Sequence, residues 1–375
     1  MTKHLFVISV GSVQDFISAA RRTRDLWFGS HLLSEISKAA ANAIAENHGE
    51  LIFPALKAGS YDLRPSDDET AFNVANIIVA ELPESIKDPL EINRKARIAA
   101  KKIWLDYAAK TRDEVERLDG GAIEPDIWDE QVNDVDEETS DVIPIYSAWV
   151  TRSPDYQKDR KRLMRLLSGR KSIRDFNPPA GHRKLKPKSS LDGARESVLT
   201  KNKDIRKKLS LRLRLGNGEQ LCAVGLTKRL GGGKVPFPSV VRVAADPWIR
   251  GVISYGKGAK DVLDEIGYNC SGENGFSSGT GRLYKEDFGY DGQIFYRSRL
   301  NKLLRLNPDS DSSDDNLTDT DRAKLVEIKK KVDLLQTSGK DCFDLGEPDP
   351  YLSILMADGD HMGRAISLIN RLEDH

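Results

Sequence analysis

The sequence predicts an α+β fold whose first domain is a ferredoxin-like, split βαβ unit. Residues 5–10 form a continuous apolar run rich in β-branched side chains, which is typical of a strand buried on both faces. Two segments with helical spacing follow, and two short apolar segments then precede a long amphipathic segment. The predicted order is therefore strand, two helices, strand, strand and helix.

Local signals bound the two helical segments near the N-terminus. Ser12 is expected to be the N-cap of the first helix, with Asp15 in its acidic first turn. Residues 25–30 interrupt the helical pattern, so the second helix is expected to follow them. His48 and Gly49 are expected to end it.

Two strands and a helix complete the predicted domain. The strands are expected at residues 51–53 and 72–79, and the helix over residues 88–109. Asp88 suits the N-cap, a proline follows at the first helical position, and Glu91 stands where a capping box needs it. Palm domains of nucleotidyl cyclases and polymerases share this architecture, which is an analogy of fold and not of function.

Charge is balanced overall but strongly segregated along the chain. Lys plus Arg and Asp plus Glu both number 58, so the net charge indicates no class of partner. Residues 113–141 hold thirteen acidic residues and one arginine, which predicts a solvated surface loop. Residues 152–214 hold 21 basic and six acidic residues. They could contact a nucleic-acid backbone or pair with the acidic stretch, and both interpretations stay open.

Cysteine and apolar patterns exclude several classes of protein. The three cysteines are far apart in the sequence, so a zinc ribbon is not expected. The same pattern fits a protein of the reducing cytoplasm. No apolar run is long enough for a signal peptide or a membrane span, so no membrane association is expected. Gly231-Gly-Gly-Lys234 lacks the spacing of a P-loop, and Val235 replaces the required hydroxyl residue.

A candidate metal site lies near the end of the sequence. Residues 352–357 form an apolar run of strand length, Asp358-Gly359-Asp360 follows, and helical spacing begins at Met362. Carboxylates two residues apart point the same way on an extended strand, and the glycine allows the backbone to approach a ligand. Such carboxylates suit Mg²⁺. The alternative is a strand-to-helix turn in which Asp360 caps the helix.

Four regions are expected along the chain. Residues 1–112 form the first palm-like domain, 113–306 an inserted linker domain with α/β and helical segments, and 307–350 a low-complexity linker and a helix. This helix is expected to carry Leu325, Ile328, Val332 and Leu335 on one apolar stripe. Residues 351–375 are expected to begin a second palm domain that this chain leaves incomplete. A strand and one helix cannot form a closed core alone. Either the rest of this domain lies outside the chain, or the segment docks onto the first domain.

Five segments occur in the order and with the residues of one known family. They are Val10-Gly-Ser-Val-Gln-Asp-Phe-Ile17, Ala20-Arg-Arg-Thr-Arg-Asp-Leu-Trp-Phe-Gly-Ser-His-Leu-Leu-Ser34, Lys188-Ser-Ser-Leu-Asp-Gly193 with Glu196-Ser-Val198, Leu221-Cys-Ala-Val-Gly-Leu-Thr-Lys-Arg229, and Asp358-Gly-Asp-His-Met-Gly363. With them, the chain resembles the large palm-domain subunit of type III-B CRISPR RNA-guided effector complexes, the Cmr group.

The resemblance implies an enzyme of antiviral defence. In the family, pairing of guide RNA with target RNA activates the second palm to convert ATP into cyclic oligoadenylates by two-metal phosphoryl transfer. The implied catalytic residues are Asp358 and Asp360, which with the Gly359 backbone would bind Mg²⁺ or Mn²⁺. The residues implied for ATP are Ser12, Gln14, Gly359 and His361. The implied partners are guide RNA, target RNA and the other subunits of the complex.

Two departures from the family pattern limit what the resemblance implies. The second acidic element, a Gly-Gly-Asp-Asp hairpin, is missing from this sequence, so the chain alone is expected to be a poor catalyst. The alternative function is therefore a non-catalytic, RNA-binding scaffold subunit. The sequence also contains no His-Asp dipeptide, so no DNA cleavage is expected. A free-standing diguanylate cyclase is not favoured, because a complete Gly-Gly-Asp-Glu-Phe motif is missing too.

Some residues have a structural and a functional interpretation that the sequence alone does not separate. Ser12 and Asp15 either line an ATP cleft or only cap the first helix. The basic run at residues 21–24 and Asp25 either form ion pairs or contact phosphates. His361 either contacts ATP or faces solvent in the first turn of a helix.

Overall fold

The structure is a computed structural model of the chain. It describes residues 3–65, 73–132, 142–173, 186–212, 215–216, 218–232, 238–270, 284, 287–304 and 319–355. The described residues form two compact units, one within Met1–Gly233 and the other within Lys234–Ala357.

The first unit is built on a four-stranded sheet. Its strands are β1 His4–Val10, β2 Glu50–Phe53, β3 Ile77–Leu82 and β4 Ile145–Thr151. They lie in the order β2-β3-β1-β4, and every neighbouring pair is antiparallel. This is the strand order of a ferredoxin-like sheet, so the predicted α+β class is confirmed. Because β4 pairs with β1, the sheet extends past residue 112, where the sequence predicted the first domain to end.

Helices cover both faces of this sheet. They are α1 Val13–Ser18, α2 Thr23–Glu46, α3 Pro89–Leu118, α4 Pro125–Val132, α5 Tyr156–Ser172, α6 Lys203–Arg212 and α7 Ala223–Leu230. Phe6 and Ile8 of β1 belong to the core that contains α2 and α3, whereas Leu5 and Val7 belong to the core that contains α5. Burial on both faces explains the continuous apolar sequence of β1.

Three elements have boundaries that differ from those predicted. The strand expected at 72–79 begins at Ile77 and continues to Leu82, and the helix expected to end at residue 109 continues to Leu118. Asp88 caps that helix as predicted and accepts a hydrogen bond from the backbone N–H of Leu90. Helix α2 begins at Thr23, so residues 25–30 do not interrupt it.

A buried ion bridge explains why α2 starts at Thr23. The Asp25 carboxylate accepts hydrogen bonds from the backbone N–H groups of Arg21 and Arg22, both at 3.2 Å. It also accepts from Arg229 Nε at 2.6 Å and Arg229 Nη2 at 2.9 Å. Arg229 donates in turn to Glu219 Oε1 at 2.9 Å. Of the two interpretations of Asp25, the structure therefore supports the structural ion pair.

Two glycines of the rejected P-loop-like segment pack against α2. A Cβ atom on Gly231 would collide with the ring of Phe28, and one on Gly232 would lie 2.8 Å from the ring of Trp27. Approaches this close are incompatible with any larger side chain unless the rings move. Close packing is therefore the reason for glycine at these positions.

The acidic stretch is not the solvated loop that its charge predicted, at least over its first half. Its first residues end helix α3, and helix α4 follows with Ile127 and Trp128 buried. Apolar side chains on one face of α4 outweigh the charge of its other face. Residues 133–141 lie outside the described residues. An ion pair between Glu124 and Lys186, at 2.9 Å, joins the acidic and basic stretches.

The second unit is helical. It contains α8 Val240–Tyr255, α9 Lys257–Cys270, α10 Arg297–Leu304 and α11 Asp319–Gln336. The predicted apolar stripe of α11 is fully buried and consists of Leu325, Ile328, Val332 and Leu335. Across the described ranges, none of the helices has an apolar stretch long enough to cross a membrane.

Removal of the Asp25 carboxylate is expected to destabilise the first unit. An Asp25→Ala variant leaves the buried Arg229 guanidinium with one carboxylate fewer, which typically costs about 3–5 kcal/mol. Urea unfolding followed by circular dichroism measures the loss. The control is Glu91→Ala, which breaks an exposed pair with Lys95 and should cost less than about 1 kcal/mol. Equal effects of the two variants would contradict the structural role of the bridge.

The bridge also predicts how stability depends on pH. Burial alone would raise the pKa of Glu219, but hydrogen bonds from Arg229 and the Gly216 N–H outweigh burial and lower it. Glu219 therefore stabilises the fold above the ordinary glutamate pKa of about 4.3. This stabilisation is lost as the pH falls through the lowered pKa of the folded state. A Glu219→Gln variant should unfold in urea with a weaker acid dependence than the wild type, and an unchanged dependence would refute this assignment.

Candidate functional site

The first unit contains a cavity of about 590 Å³ at the C-terminal end of β1. Its walls come from several elements that are distant in sequence. They are the turn between β1 and α1, helix α1, one residue each of α2 and α3, residues 142–146 before and at the start of β4, the end of α5, the loop at residues 191–195, and helix α7 with the residue before it. The volume is in the range of natural small-molecule sites.

Basic side chains outnumber acidic ones in the wall of this cavity. The basic residues are Arg97, Arg170, Lys171, Arg195 and Lys228, and the acidic residues are Asp15 and Asp192. Some of these guanidinium groups are also held by the protein, since Arg97 donates to Ile145 O at 2.5 Å and Arg195 lies 3.8 Å from Asp192. The excess of positive charge favours an anionic ligand.

Lys228 is a buried cation that the protein satisfies only with neutral groups. Its ammonium donates to the carbonyl oxygens of Phe16, at 2.6 Å, and Ala19, at 2.5 Å. It also lies 5.0 Å from the centre of the Phe16 ring. An ammonium has three N–H donors, so these two carbonyls leave capacity for one more acceptor.

Burial lowers the pKa of both lysines in the cavity wall. The pKa of Lys228 falls to about 8, chiefly because its side chain is removed from water, and the Asp25 charge opposes this only in part. Burial also lowers the pKa of Lys171, with no carboxylate to offset it. Lysines with a lowered pKa are enriched at functional sites, and those without a direct carboxylate partner can pair with an anionic ligand.

The cavity includes two of the residues that the sequence singled out at the end of β1. Ser12 and Asp15 both line it. Ser12 occupies the N-cap position of α1, but its side chain makes no capping hydrogen bond, so capping alone does not account for it. Gln14 is exposed and does not belong to the cavity wall.

The predicted metal site cannot be placed, because Asp358, Gly359, Asp360 and His361 lie outside the described residues. The buried strand expected before it is not formed over its described part, since residues 352–355 have no strand structure and are exposed. Within the ranges that the structure does describe, no group of three or more His, Cys, Asp or Glu side chains could hold a metal ion. The assignment of metal binding to Asp358, Gly359 and Asp360 stays a prediction.

Sequence reasoning missed the basic residues of the cavity wall. Lys228 belongs to a segment that carried the family resemblance, and Lys171 belongs to the basic stretch, but neither pattern indicated a cavity. Arg97 sits in an ordinary amphipathic helix and had no signal at all. These residues meet through tertiary packing of α3, α5 and α7, which the local pattern does not encode.

The first unit is thus an α+β domain with a ferredoxin-like sheet and a basic cavity at the end of its first strand. Residues 5–109 match the family model described as CRISPR-associated protein Cmr2, N-terminal. This match, over the N-terminal part of the chain, agrees with the family resemblance that the motifs indicated.

Two solved structures are similar to the chain at low identity. A chain of the type III-B Cmr-beta complex bound to cognate target RNA aligns with a TM-score of 0.49 and 14% identity, over 88% of this chain and 43% of that chain. A chain of the type III-B Cmr-beta apo state aligns with a TM-score of 0.48 and 17% identity, over 72% of this chain and 37% of that chain. The present chain therefore spans less than half the length of either one. No curated protein matches the sequence significantly.

The cavity predicts a pH-dependent affinity for anions. Inorganic sulfate is a suitable probe because its charge does not change between about pH 7 and 9, the range in which Lys228 loses its proton. Sulfate affinity should fall as the pH rises through this range. A Lys228→Met variant should bind sulfate about tenfold more weakly at the lower pH, because it cannot donate the charged hydrogen bond. Its affinity should also depend less on pH.

Isothermal titration calorimetry measures both effects. The control is Lys102→Met, which removes an exposed lysine of α3 outside the cavity. A Lys228→Met variant with the sulfate affinity and the pH dependence of the wild type would exclude Lys228 as an anion contact. Thermal unfolding of the variant separates loss of the site from loss of the fold.

Proposed function

We propose that this chain is a Cmr2-like subunit of a type III-B CRISPR RNA-guided complex and that it binds ATP in the basic cavity of its first unit. In this proposal it contributes, with Asp358 and Asp360, to the target-RNA-activated conversion of ATP into cyclic oligoadenylates. The single observation that carries the proposal is the cavity itself. Its excess of basic side chains suits a polyphosphate, and Ser12 lies in its wall.

The cavity offers separate surfaces for the two parts of a nucleotide. Lys171, Arg195 and Lys228 can neutralise phosphate oxygens, and a buried site makes each such contact stronger than it would be in water. Leu33 and Ile143 provide apolar wall against which a base or a ribose can pack. The Ser12 hydroxyl can donate to a phosphate or a ribose oxygen.

The donor set at Asp358 and Asp360 is chemically suited to Mg²⁺ or Mn²⁺, because carboxylate and backbone oxygens are the ligands that such ions prefer. A bound ion would neutralise negative charge that develops on the reacting phosphate. The chain's own contribution is to hold those two carboxylates on one short segment and to hold the polyphosphate with its cavity lysines. Since the sequence lacks a Gly-Gly-Asp-Asp hairpin, activity is proposed for the assembled complex and not for this chain alone.

A second candidate function is favoured by a different observation. Helix α5 carries seven basic residues and one acidic residue, and several of the basic side chains are exposed. A subunit that contacts RNA as a scaffold, without chemistry of its own, would use such a surface. ATP turnover separates the two functions.

The proposal predicts that an Asp358→Ala/Asp360→Ala variant abolishes ATP conversion by the assembled complex in the presence of Mg²⁺ and target RNA. Loss of both carboxylates removes the predicted metal ligands, so we expect a fall in rate of at least about a hundredfold. Radiolabelled ATP and separation of the products measure the rate. Size-exclusion chromatography shows whether the complex still assembles.

The matched control is Asp106→Ala, which removes an exposed carboxylate of α3 far from the predicted metal ligands in sequence. Full ATP turnover by the Asp358→Ala/Asp360→Ala complex would refute the catalytic assignment. Normal assembly without any ATP turnover in the wild-type complex would instead leave the scaffold function as the better account.

A further inference from the structure

Helix α5 has one face in the core and an opposite face that is strongly basic. Its buried residues include Tyr156, Leu163 and Leu167, which pack in the core beneath the sheet. The opposite face exposes four basic side chains at helical spacing, hereafter the α5 basic stripe: Lys158, Lys161, Arg162 and Arg165. The spacing of three and four residues places them on one side of the helix.

The stripe differs from several other basic residues of the same stretch, which have acidic partners. Arg152 contacts both Glu81 and Asp159, and Lys188 contacts Glu196. Asp159 is the one acidic residue of α5, but it is buried and held by Arg152. Among the described parts of the chain, no salt bridge involves any of the four stripe residues.

The stripe reduces the intrinsic stability of its own helix. Four pairs of stripe residues are separated by three or four positions, and like charges at that spacing destabilise a helix. The packing of Leu163 and Leu167 offsets this cost, so the helix tolerates an arrangement that it does not need for folding. Like charges that are present although they destabilise the helix indicate that the stripe binds a partner of opposite charge.

We infer that the α5 basic stripe binds the phosphate backbone of single-stranded RNA. The inference rests on the proposed role of the chain in an RNA-guided complex, and it assigns that role a surface. From Lys158 to Arg165 the helix rises about 10 Å, so the stripe can follow a short run of backbone. The helix exposes no aromatic ring on which a base could stack, so the interaction is expected to be independent of sequence.

An acidic protein partner fits the stripe less well. The centres of protein interfaces are depleted in charged residues and contain aromatic or apolar anchors. The four stripe side chains are all basic, and one exposed apolar side chain, Leu166, lies beside Arg162. Beyond Arg165 the same side of the helix continues with Ser168 and Gly169. A Cβ atom on Gly169 would meet no neighbour within 4 Å, so that side is open to an approaching backbone.

The test compares two charge-reversal variants of the full chain. The first is Lys158→Glu/Lys161→Glu/Arg162→Glu/Arg165→Glu. The control is Lys57→Glu/Arg64→Glu/Lys87→Glu/Lys102→Glu, which changes the net charge equally at exposed positions of the same unit. Fluorescence anisotropy with a labelled single-stranded RNA gives the dissociation constant over a series of KCl concentrations, and a second RNA of unrelated sequence tests independence of sequence.

The stripe variant should bind RNA at least about tenfold more weakly at low salt, and the control variant should not. Its plot of log affinity against log salt should be less steep by roughly 0.7 for each phosphate that it no longer neutralises, or about 3 for four phosphates. A neutral variant with glutamine at the same four positions should show the same weakening. It keeps good helix formers there, so loss of the helix is not the cause.

Three results would overturn the inference. The stripe variants could bind RNA as the wild type does, or the control could lose as much affinity as the stripe variant. Complex assembly could also fail while RNA affinity is unchanged, which would assign the stripe to a protein partner. ATP affinity, measured on the same samples, should be unaffected because no stripe residue lines the cavity. RNA binding and ATP binding can therefore fail separately.

Discussion

The first unit depends on a buried ion bridge that joins residues more than two hundred positions apart in sequence. Arg229 on α7 lies between Asp25, at the start of α2, and Glu219. Burial would lower the pKa of Arg229, but hydrogen bonds to the two carboxylates outweigh burial and raise it, so the guanidinium stays charged. An isolated buried charge would be costly, whereas this arrangement satisfies all three groups. The bridge thereby fixes where α2 begins and where α7 lies.

The position of α7 in turn places Lys228, one of the basic residues of the cavity, in the cavity wall. Lys228 and Arg229 are adjacent in sequence, yet Arg229 has two carboxylate partners and Lys228 has two neutral carbonyl partners at the end of α1. Arg229 is neutralised within the protein and therefore has a structural role. Lys228 lies in the cavity wall with its charge uncompensated by direct contact. The two neighbouring basic residues thus differ in their partners and not in their own chemistry, which gives Arg229 a structural role and Lys228 the proposed ligand-binding role.

Whether a feature depends on residues that are near or distant in the sequence explains which features could be predicted. Strand β1, the cap at Asp88 and the apolar stripe of α11 depend on near neighbours, and each was predicted correctly. The start of α2 depends on Arg229, so the pattern of residues 25–30 alone was misleading. The cavity wall combines Arg97 with Lys171 and Lys228, which have no common pattern in the sequence. The predicted metal ligands Asp358 and Asp360 lie outside the described residues, so their assignment rests on the sequence alone.

Charge pairing also separates the basic residues of the 152–214 stretch into groups with different surroundings, which the composition of the stretch could not do. Within residues 152–214, Lys186 pairs with Glu124 of the acidic stretch, Lys171 lines the cavity, and the α5 basic stripe faces solvent. A net charge of zero hides these three situations, because it sums paired and unpaired groups alike. A charged side chain that is paired in the fold contributes little to the attraction of a distant polyanion, since the field of the pair falls off steeply. Binding is therefore to be argued from basic side chains that the described part of the fold leaves without an acidic partner, which include Lys171 and Lys228 in the cavity and the α5 basic stripe on the outer face of its helix.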